Sequence, residues 1–421
     1  MNQPLSRPEP APLTREEALD TVSLAAALLF AHGQTTERTV VASERLGRAL
    51  GVPVTALPYW GQLTVEIDGT TLSQIVPVKP LGVDIGKVLA VTTVVDQVCD
   101  GKLEAGAARS SAIALAGCSP PASTLRFTLL AAIGAASLGV IFGAVDAMSL
   151  LLIAANAAMG ALARRWLLNF TSNPFIQPLC AAAIAGAVAG AAGHLQLSGA
   201  ITMIAFCPCM VLVPGPHLLN GAIDLARTRI ALGIARLAYA GVFVLMICAG
   251  LWFGFVATGA TLPAAGSPTP VPLVADVIAA GCAVAAFGTF FSMPWRLLPF
   301  PIVVGMFAHA VRWAVISMAS ANAAIGAFVA CIIVSVIVTP VANRLHLPFA
   351  ALGFSAVVSM MPGFFLFHAA SALVELVSIG PRAPAVLLTS VAVNGTTAFL
   401  VILAMTLGLI LLYEHFLPTP A

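Results

Sequence analysis

Two apolar segments of this 421-residue chain carry residues that could bind a small polar solute inside a membrane. The first is interrupted at Pro214-Gly215 and then presents His217, Asn220 and Asp224. Proline lacks a backbone donor and clashes with the preceding turn, so a helix must stop or kink there. Freed backbone groups at membrane depth persist only where they are buried in protein or line a wet cavity. The residue types therefore predict a polar site at this break.

The second half of the chain repeats the arrangement at Pro362-Gly363, which His368 and Glu375 follow. In each segment a carboxylate follows a histidine after seven residues, so the two side chains share one face if the segment is helical. Aligning the two Pro-Gly steps places Asn220, rather than the first histidine, opposite His368. Paired interruptions in two halves of a chain are typical of the binding site of a transporter.

These patterns assign provisional roles. Histidine titrates near neutrality, so a histidine with a carboxylate could exchange a proton when the cavity opens. Two plainer interpretations stay open: Asp224 could form a solvated surface pair with Arg227, and Glu375 could lie near the opposite surface. The predicted proton-coupling residues are Asp224 and Glu375. The predicted substrate-binding residues are Pro214, Gly215, His217, Asn220, Pro362, Gly363 and His368.

Other polar residues lie within or border the apolar segments and include Asn156, Arg236, Asp276 and His309. For the asparagines, joining neighbouring helices is the commoner role. Cys207-Pro208-Cys209 resembles the metal path of heavy-metal pumps, because thiolates bind soft cations. The chain lacks the phosphorylation machinery of such pumps, so packing is favoured. The sequence predicts neither a metal nor a cofactor.

Composition identifies a polytopic membrane protein. Hydrophobic residues make up 60% of the chain and charged residues 9%, whereas soluble domains carry about a quarter charged residues. Twelve of the 17 acidic residues lie in the first 124 positions. We expect a small domain at 1–124 and two membrane halves at 125–257 and 258–421.

The first 124 residues predict a small cytoplasmic α+β head. Thr14 and Glu17 form a capping-box pattern, residues 63–67 alternate as a half-buried strand does, and Asp68-Gly69 favours a tight hairpin. We found no nucleophile elbow and no phosphate-binding Walker loop. The sequence therefore predicts a protein that is not an enzyme.

Ten segments are long and apolar enough to cross a membrane. The fourth and ninth are the interrupted ones, so the chain divides into five plus five. An odd number of segments per half predicts two mirror-related copies, an inverted repeat. The expected fold is a mostly α-helical membrane protein with a small α+β head. The ten predicted segments are roughly 125–144, 146–163, 177–193, 198–227, 229–257, 273–293, 297–316, 321–340, 349–378 and 384–412.

Positive residues in short loops predict both termini on the cytoplasmic side. No secretory signal precedes the head, and a pI near 8.2 gives no indication of a nucleic-acid partner. Two arginines, Arg312 and Arg382, fall on the opposite side and count against this orientation. Six arginines fall on the inward side: Arg164, Arg165, Arg227, Arg229, Arg296 and Arg344.

Three stretches resemble the threonine/serine exporter family. They are residues 28–39, which read LLFAHGQTTERT; residues 91–104, which read VTTVVDQVCDGKLE; and the Pro214-Gly215 step followed by Asn220-Gly221 and Asp224. The resemblance implies export of L-threonine and L-serine from a bacterial inner membrane, driven by the proton motive force. It also implies a small-molecule substrate, protons and the bilayer as partners, with a homo-oligomer as a further expectation.

Two alternatives remain at this point. In related systems the halves are separate proteins, some of which are thought to export dicarboxylates such as succinate. A dianion would need a second cation in the cavity, and Arg236 is the arginine placed deeply enough to supply it. The other alternative is a membrane-tethered hydrolase or sensor, which ten segments and the missing catalytic set disfavour.

Overall fold

The computed structural model describes residues 13–117, 123–260, 271–345, 347 and 349–413. The chain divides into two compact units, Met1–Pro120 and Pro121–Ala421. The predicted domains at 1–124, 125–257 and 258–421 remain a proposal about which parts fold independently.

The first unit is a small α+β domain in which four helices accompany a three-stranded antiparallel sheet. Thr14 and Glu17 cap the first helix reciprocally, as the capping-box pattern predicts. Burial lowers the pKa of His32, and nearby Lys87 adds to the effect. The elements are α1 (Arg15–Ala31), α2 (Thr36–Ala49), β1 (Val54–Tyr59), β2 (Gly61–Ile67), β3 (Ser73–Val78), α3 (Ile85–Cys99) and α4 (Ala105–Gly117).

The sheet differs from the sequence prediction in two respects. Strand β1, which the sequence analysis missed, pairs with β2 across a turn at Trp60-Gly61. It contains Pro58, which removes one ladder donor, and its place at the edge of the sheet tolerates that loss. The Asp68-Gly69 turn is longer than a two-residue hairpin, because the last ladder pair joins Glu66 to Ser73.

The second unit is a bundle of long apolar helices. In its first half the fourth segment is broken, as predicted, and its two pieces are bent by 63°. The helices are α5 (Thr124–Ile141), α6 (Ala147–Leu167), α7 (Ile176–His194), α8 (Ile201–Met210), α9 (Gly215–Ala226) and α10 (Ile230–Thr258).

The second half follows the same plan. Its interrupted segment consists of a short helix, a 3-10 turn at Val358–Met360 and a longer helix. The helices are α11 (Leu273–Phe290), α12 (Pro299–Met318), α13 (Ala323–Arg344), α14 (Phe349–Val357), α15 (Gly363–Ile379) and α16 (Ala385–Tyr413). Within the described ranges nine helices are long and apolar enough to cross a membrane, or ten with the bent α8–α9 pair. The predicted class, a mostly α-helical membrane protein with a small sheet near its N-terminus, is confirmed.

Helix contacts in the first half recur in the second. Helix α7 packs along α10, as α13 packs along α16. Helix α6 lies against α5, α7 and α8, as α12 lies against α11, α13 and α14. Between the halves, α5 packs on its own counterpart α11. A unit of five segments crosses a membrane an odd number of times, so its repeat would be inserted upside down, and the recurring contacts support the predicted inverted repeat.

The contact between α7 and α10 depends on glycine. A Cβ on Gly250 would lie 2.9 Å from Cβ of Ala182 and closer still to the main chain of α7, and a Cβ on Gly254 would lie 2.5 Å from the backbone nitrogen of Ala187. Gly186 on the facing helix meets the main chain of α10 in the same way. Small residues let two backbones approach closely in a membrane, where packing rather than hydrophobic exclusion holds helices together.

We therefore predict that Gly250→Leu destabilises the bundle, because the added side chain must force α7 and α10 apart, which costs about 1–3 kcal/mol or more. The matched control is Gly241→Leu on the same helix, where an added Cβ meets no atom within 4 Å. The measurement is the thermal unfolding midpoint of the full chain in detergent. Equal midpoints for the two variants would contradict the glycine-mediated contact.

Candidate functional site

The first helix break is formed by buried and half-buried residues. Helix α8 contains Pro208 and ends at Met210. The chain leaves helical geometry at Pro214, whose ψ is 64°, and α9 begins at Gly215. Proline supplies no backbone donor and cannot continue the α8 ladder, which explains why the segment ends here. Val213 and Gly215 are buried and Pro214 is half-buried, so protein covers much of the interrupted backbone, as membrane depth requires.

The second break has the same chemistry. The 3-10 turn ends at Met360, Met361 adopts an extended ψ of 138°, and α15 starts at Gly363 after Pro362. These break residues are also buried. Both Pro-Gly steps therefore end a helix and begin another, as the sequence analysis predicted.

The two breaks touch each other reciprocally. A Cβ built on Gly215 would lie 3.2 Å from Cε of Met361, which directly precedes the second Pro-Gly step. A Cβ built on Gly363 would lie 3.4 Å from Cγ2 of Val213, which directly precedes the first step, and 3.2 Å from Cγ of Met210. Each glycine thus packs against the residue that precedes the other Pro-Gly step. Such reciprocal contacts are expected when the two halves are related by a two-fold axis. The N-termini of α9 and α15 consequently begin side by side.

Two predicted residues of the first break, His217 and Asn220, are buried on α9. His217 is 5% exposed, and its ring meets the ring of Tyr239 at 5.0 Å, edge to face. Asn220 is 2% exposed, and its Oδ1 has no hydrogen-bond partner among the described residues. An unsatisfied buried acceptor costs about 1–3 kcal/mol. It is therefore a candidate to accept a hydrogen bond from a substrate.

At the second break His368 is buried among aromatic rings. Its ring lies 4.4 Å from that of Phe364 on its own helix and 5.0 Å from that of Phe206 on α8, with edge-to-face geometry in both cases. Phe206 belongs to the first half, so this contact links the two interrupted segments. The aromatic neighbours were missed in the sequence analysis, because phenylalanine in an apolar segment gives no signal beyond hydrophobicity.

The Asp224 side chain is 1% exposed, so the interpretation of Asp224 as part of a solvated surface pair is wrong. Its carboxylate Oδ2 lies 3.1 Å from Nε of Arg236, both side chains are 1% exposed, and Arg229 stands 3.9 Å from Oδ1. The pair can form because Gly221 of α9 and Gly233 of α10 pack against each other's carbonyl oxygen. Arg236 is therefore engaged by Asp224, and the cation that a dicarboxylate would need is already neutralised.

Glu375 does not join this group. It is exposed on α15 and lines a cavity of about 450 Å³ between α10 and α15. Cys248, Trp252 and Phe255 contribute the α10 wall, and Phe367 and Ser371 lie beside Glu375 on the other. The predicted site residues therefore separate into a buried set at the two breaks and one carboxylate on this open groove.

Asn156 was noted in the sequence only as a packing residue, yet it contacts the first interrupted segment. Its Nδ2 donates to the carbonyl oxygens of Ile204 and Ala185, at 2.9 and 3.2 Å. Its Oδ1 is buried without a hydrogen-bond partner in the described chain. Asn156 also lines a cavity of about 20 Å³ beside the first break, together with Arg164. That volume holds about one water molecule.

A second polar group lies beside the other break. His309 of α12 has Nδ1 3.1 Å from Oδ2 of Asp276 and Nε2 2.9 Å from Oγ of Ser359. The sequence pattern singled out neither this contact nor Ser359, since the three residues come from distant parts of the chain. Only the fold brings them together.

The ion pair generates a prediction about stability. Asp224→Leu or Arg236→Met alone should destabilise the bundle by about 3–5 kcal/mol, because each leaves a buried charge without its partner. The double variant Asp224→Leu with Arg236→Met should recover most of that loss. Thermal unfolding of the four proteins in detergent gives the coupling energy directly. Arg229→Gln serves as a milder control, and additive effects of the two single changes would contradict the pairing.

Two family models match the chain. Residues 20–257 match a threonine/serine exporter model, ThrE. Residues 276–413 match a second model, described as Threonine/Serine exporter, ThrE. Neither a curated protein nor a solved structure matches. The first match alone spans more than half of the sequence. Both halves of the exporter architecture are present in one polypeptide, and the chain belongs to the threonine/serine exporter family.

Proposed function

We propose that this protein exports L-threonine and L-serine, and that the substrate binds where the α8–α9 and α14–α15 breaks meet. The reciprocal packing of Gly215 and Gly363 against the opposite break carries the proposal. Transporters built from two repeats bind their substrates at discontinuous helices near the repeat interface. The family assignment supports an amino acid as the solute.

The converging helix ends suit an amino-acid carboxylate. Each helix N-terminus carries a partial positive charge from its unsatisfied N–H groups, and α9 and α15 start at adjacent positions. The uncommitted Oδ1 of Asn220, about one and a half turns into α9, would accept a hydrogen bond from the substrate ammonium or hydroxyl group. In this proposal Pro214 and Pro362 keep the backbone open, while His217 and His368 form the polar part of the walls.

Substrate binding requires movement of the breaks. The cavity of about 20 Å³ beside the first break holds a water molecule and not an amino acid. Methionine side chains occupy the space between the breaks, since Met361 packs on Gly215 and Met210 on Gly363. Methionine is unbranched and adapts to changes in packing. Displacement of these two side chains would open the site.

The proton motive force is the proposed energy source, with the protein in a bacterial inner membrane and both termini in the cytoplasm. Asp224 can take up a proton only when its pair with Arg236 separates, which would link protonation to movement of α9 against α10. Glu375 faces the groove between α10 and α15 and is accessible as the structure stands. Both residues stay in the proposal as coupling groups.

The substrate assignment is tested in proteoliposomes that contain the purified full-length chain. Counterflow of labelled L-threonine should be competed by unlabelled L-serine and not by succinate. Absence of L-threonine counterflow, or its competition by succinate with no effect of L-serine, would contradict the proposed substrate.

The binding site is tested by Asn220→Ala. Loss of a hydrogen bond to a charged substrate group, about 1.5–3 kcal/mol, should lower the transport efficiency for L-threonine by about tenfold to a hundredfold. The matched control is Asn394→Ala on α16, whose amide donates to the carbonyl oxygen of Ser390 in its own helix. Equal transport efficiencies for the two variants, both correctly folded, would move the site away from Asn220.

A further inference from the structure

Asp276, His309 and Ser359 form a buried chain of hydrogen bonds in the second half. The imidazole of His309 is 0% exposed and connects the carboxylate of Asp276, at 3.1 Å, to the hydroxyl of Ser359, at 2.9 Å. Asp276 is 3% exposed and Ser359 is 2% exposed. Ionisable groups are costly in a membrane interior and usually mark a functional path. A buried histidine with both ring nitrogens engaged is therefore a candidate for proton binding.

The chain ends at the second break. Ser359 lies in the 3-10 turn at Val358–Met360, immediately before Met361 and Pro362. His309 lies in the middle of α12, and Asp276 in the first turn of α11. The hydrogen bond from His309 to Ser359 thus ties the interrupted segment to helices that are themselves unbroken.

In the described part of the first half, the hydrogen bond that corresponds to this contact is made by an amide. There Asn156, in the middle of α6, reaches the interrupted segment at the carbonyl oxygen of Ile204. An amide does not titrate, whereas histidine titrates near neutral pH. Protonation can therefore act on the second break and leave the corresponding contact of the first half unchanged.

Two charged groups act on His309 electrostatically, Asp276 of α11 and Arg312 of its own helix. Arg312 also interacts with Asp276. Residues 349–360, which form α14 and the 3-10 turn, contain no ionisable side chain. Helix α13 carries the thiol of Cys331 and, at its exposed end, Arg344. The charge balance around His309 is therefore set mainly by one carboxylate and one guanidinium.

Protonation changes the direction of the bond to Ser359. In neutral His309, Nδ1–H donates to Asp276 and Nε2 accepts the hydroxyl proton of Ser359. A proton added at Nε2 occupies that lone pair, so both ring nitrogens become donors. The hydroxyl oxygen of Ser359 must then accept, and its own proton needs another acceptor. Each protonation or deprotonation of His309 would therefore change the hydrogen bonds of Ser359 in the turn before Pro362.

We propose that the Asp276–His309–Ser359 chain is a proton-operated latch, in which neutral His309 holds the second break in the present conformation and protonated His309 releases it. The proposal rests on the proposed export function and assigns its proton-sensing group. It adds His309 to the residues inferred from sequence, and it explains why a titratable side chain contacts one break and an amide the other.

The same three side chains could be interpreted as a nucleophilic set, since serine, histidine and aspartate are connected in the order that hydrolases use. The geometry favours the latch. Ser359 is 2% exposed and His309 is 0% exposed, so protein encloses both the hydroxyl and the imidazole. A proton can reach such a group along hydrogen bonds, whereas an acyl substrate would need open access to Oγ.

The test uses the full-length chain in proteoliposomes, assayed in two modes. Counterflow of labelled L-threonine at equal pH reports binding and exchange, and accumulation under an imposed pH gradient reports coupling. His309→Gln retains polar contacts but takes up no proton. A break that is not released would also slow exchange, so accumulation under the gradient is expressed relative to counterflow at equal pH. We expect this ratio to fall about tenfold or more in His309→Gln. Ser359→Ala should also weaken the response to the gradient.

The matched control is Ser335→Ala. Ser335 is equally buried, on α13, and its hydroxyl donates to the carbonyl oxygen of Leu409. This variant should leave both assays unchanged. If the parent exchanges L-threonine and His309→Gln keeps its full response to the gradient, the latch is wrong while the export function stands. Labelling of Ser359 by a fluorophosphonate, lost in Ser359→Ala, would assign the set to acyl chemistry and overturn the latch.

Hydrogen exchange tests the latch without any substrate. In the parent protein the amides of residues 357–361 should exchange faster near pH 5.5 than near pH 7.5, after correction for intrinsic rates, because the two values lie on either side of the ordinary histidine pKa of about 6.5. The difference should vanish in His309→Gln. Equal protection at the two pH values in the parent would contradict the latch. If L-threonine counterflow is absent from the parent, the proposed substrate fails, and this experiment alone decides the latch.

Discussion

The structure depends on one constraint, that backbone interrupted inside a membrane must be covered by protein. A proline at each break removes a donor and ends a helix, and the freed groups cannot be left facing lipid. The protein meets this constraint by placing its two breaks against each other. Gly215 fits against Met361 and Gly363 against Val213, so each interruption covers the other. The same arrangement that satisfies the backbone brings two helix N-termini to one point, which suits an anionic solute group.

Two buried carboxylates have described partners. Asp224 and Arg236 neutralise each other across the α9–α10 contact. Asp276 accepts a hydrogen bond from His309 and interacts electrostatically with Arg312. Each group joins an interrupted segment to a regular helix: Asp224 of α9 pairs with Arg236 of α10, and Ser359 bonds to His309 of α12. Movement of either segment would disturb a charged contact, which is a physical means of joining proton binding to transport.

The helical spans and the two breaks could be predicted from sequence, because their causes are local. Twenty apolar residues make a span, and a Pro-Gly step interrupts one, whatever surrounds it. The α+β head was predicted less completely. Strand β1 was missed, since Pro58 argues against a strand until its edge position is known.

The side-chain partners could not be predicted in the same way, because they come from different helices. In sequence Arg227 is the arginine nearest to Asp224, yet Asp224 forms a fully buried ion pair with Arg236, which Gly221 and Gly233 allow to come close. The contact between His309 and Ser359 similarly depends on how α12 packs against α14. Periodicity shows which face of its own helix a residue occupies. It does not show which other helix packs against that face.

Cross-linking shows whether the two helix breaks meet at the transport site. In a chain whose native cysteines have been replaced, Gly215→Cys combined with Met361→Cys should form a disulfide readily. A Cβ at position 215 lies 3.4 Å from Cγ of Met361, and Sγ of a cysteine at 361 in the same rotamer would occupy the place of that Cγ, within reach of a sulfur on position 215. We expect the pair at 215 and 361 to oxidise rapidly. The disulfide should stop L-threonine export, and a reductant should restore it. Gly241→Cys with Met361→Cys should not cross-link. No cross-link at 215 and 361, or full export by the cross-linked protein, would contradict the meeting of the two breaks as the transport site.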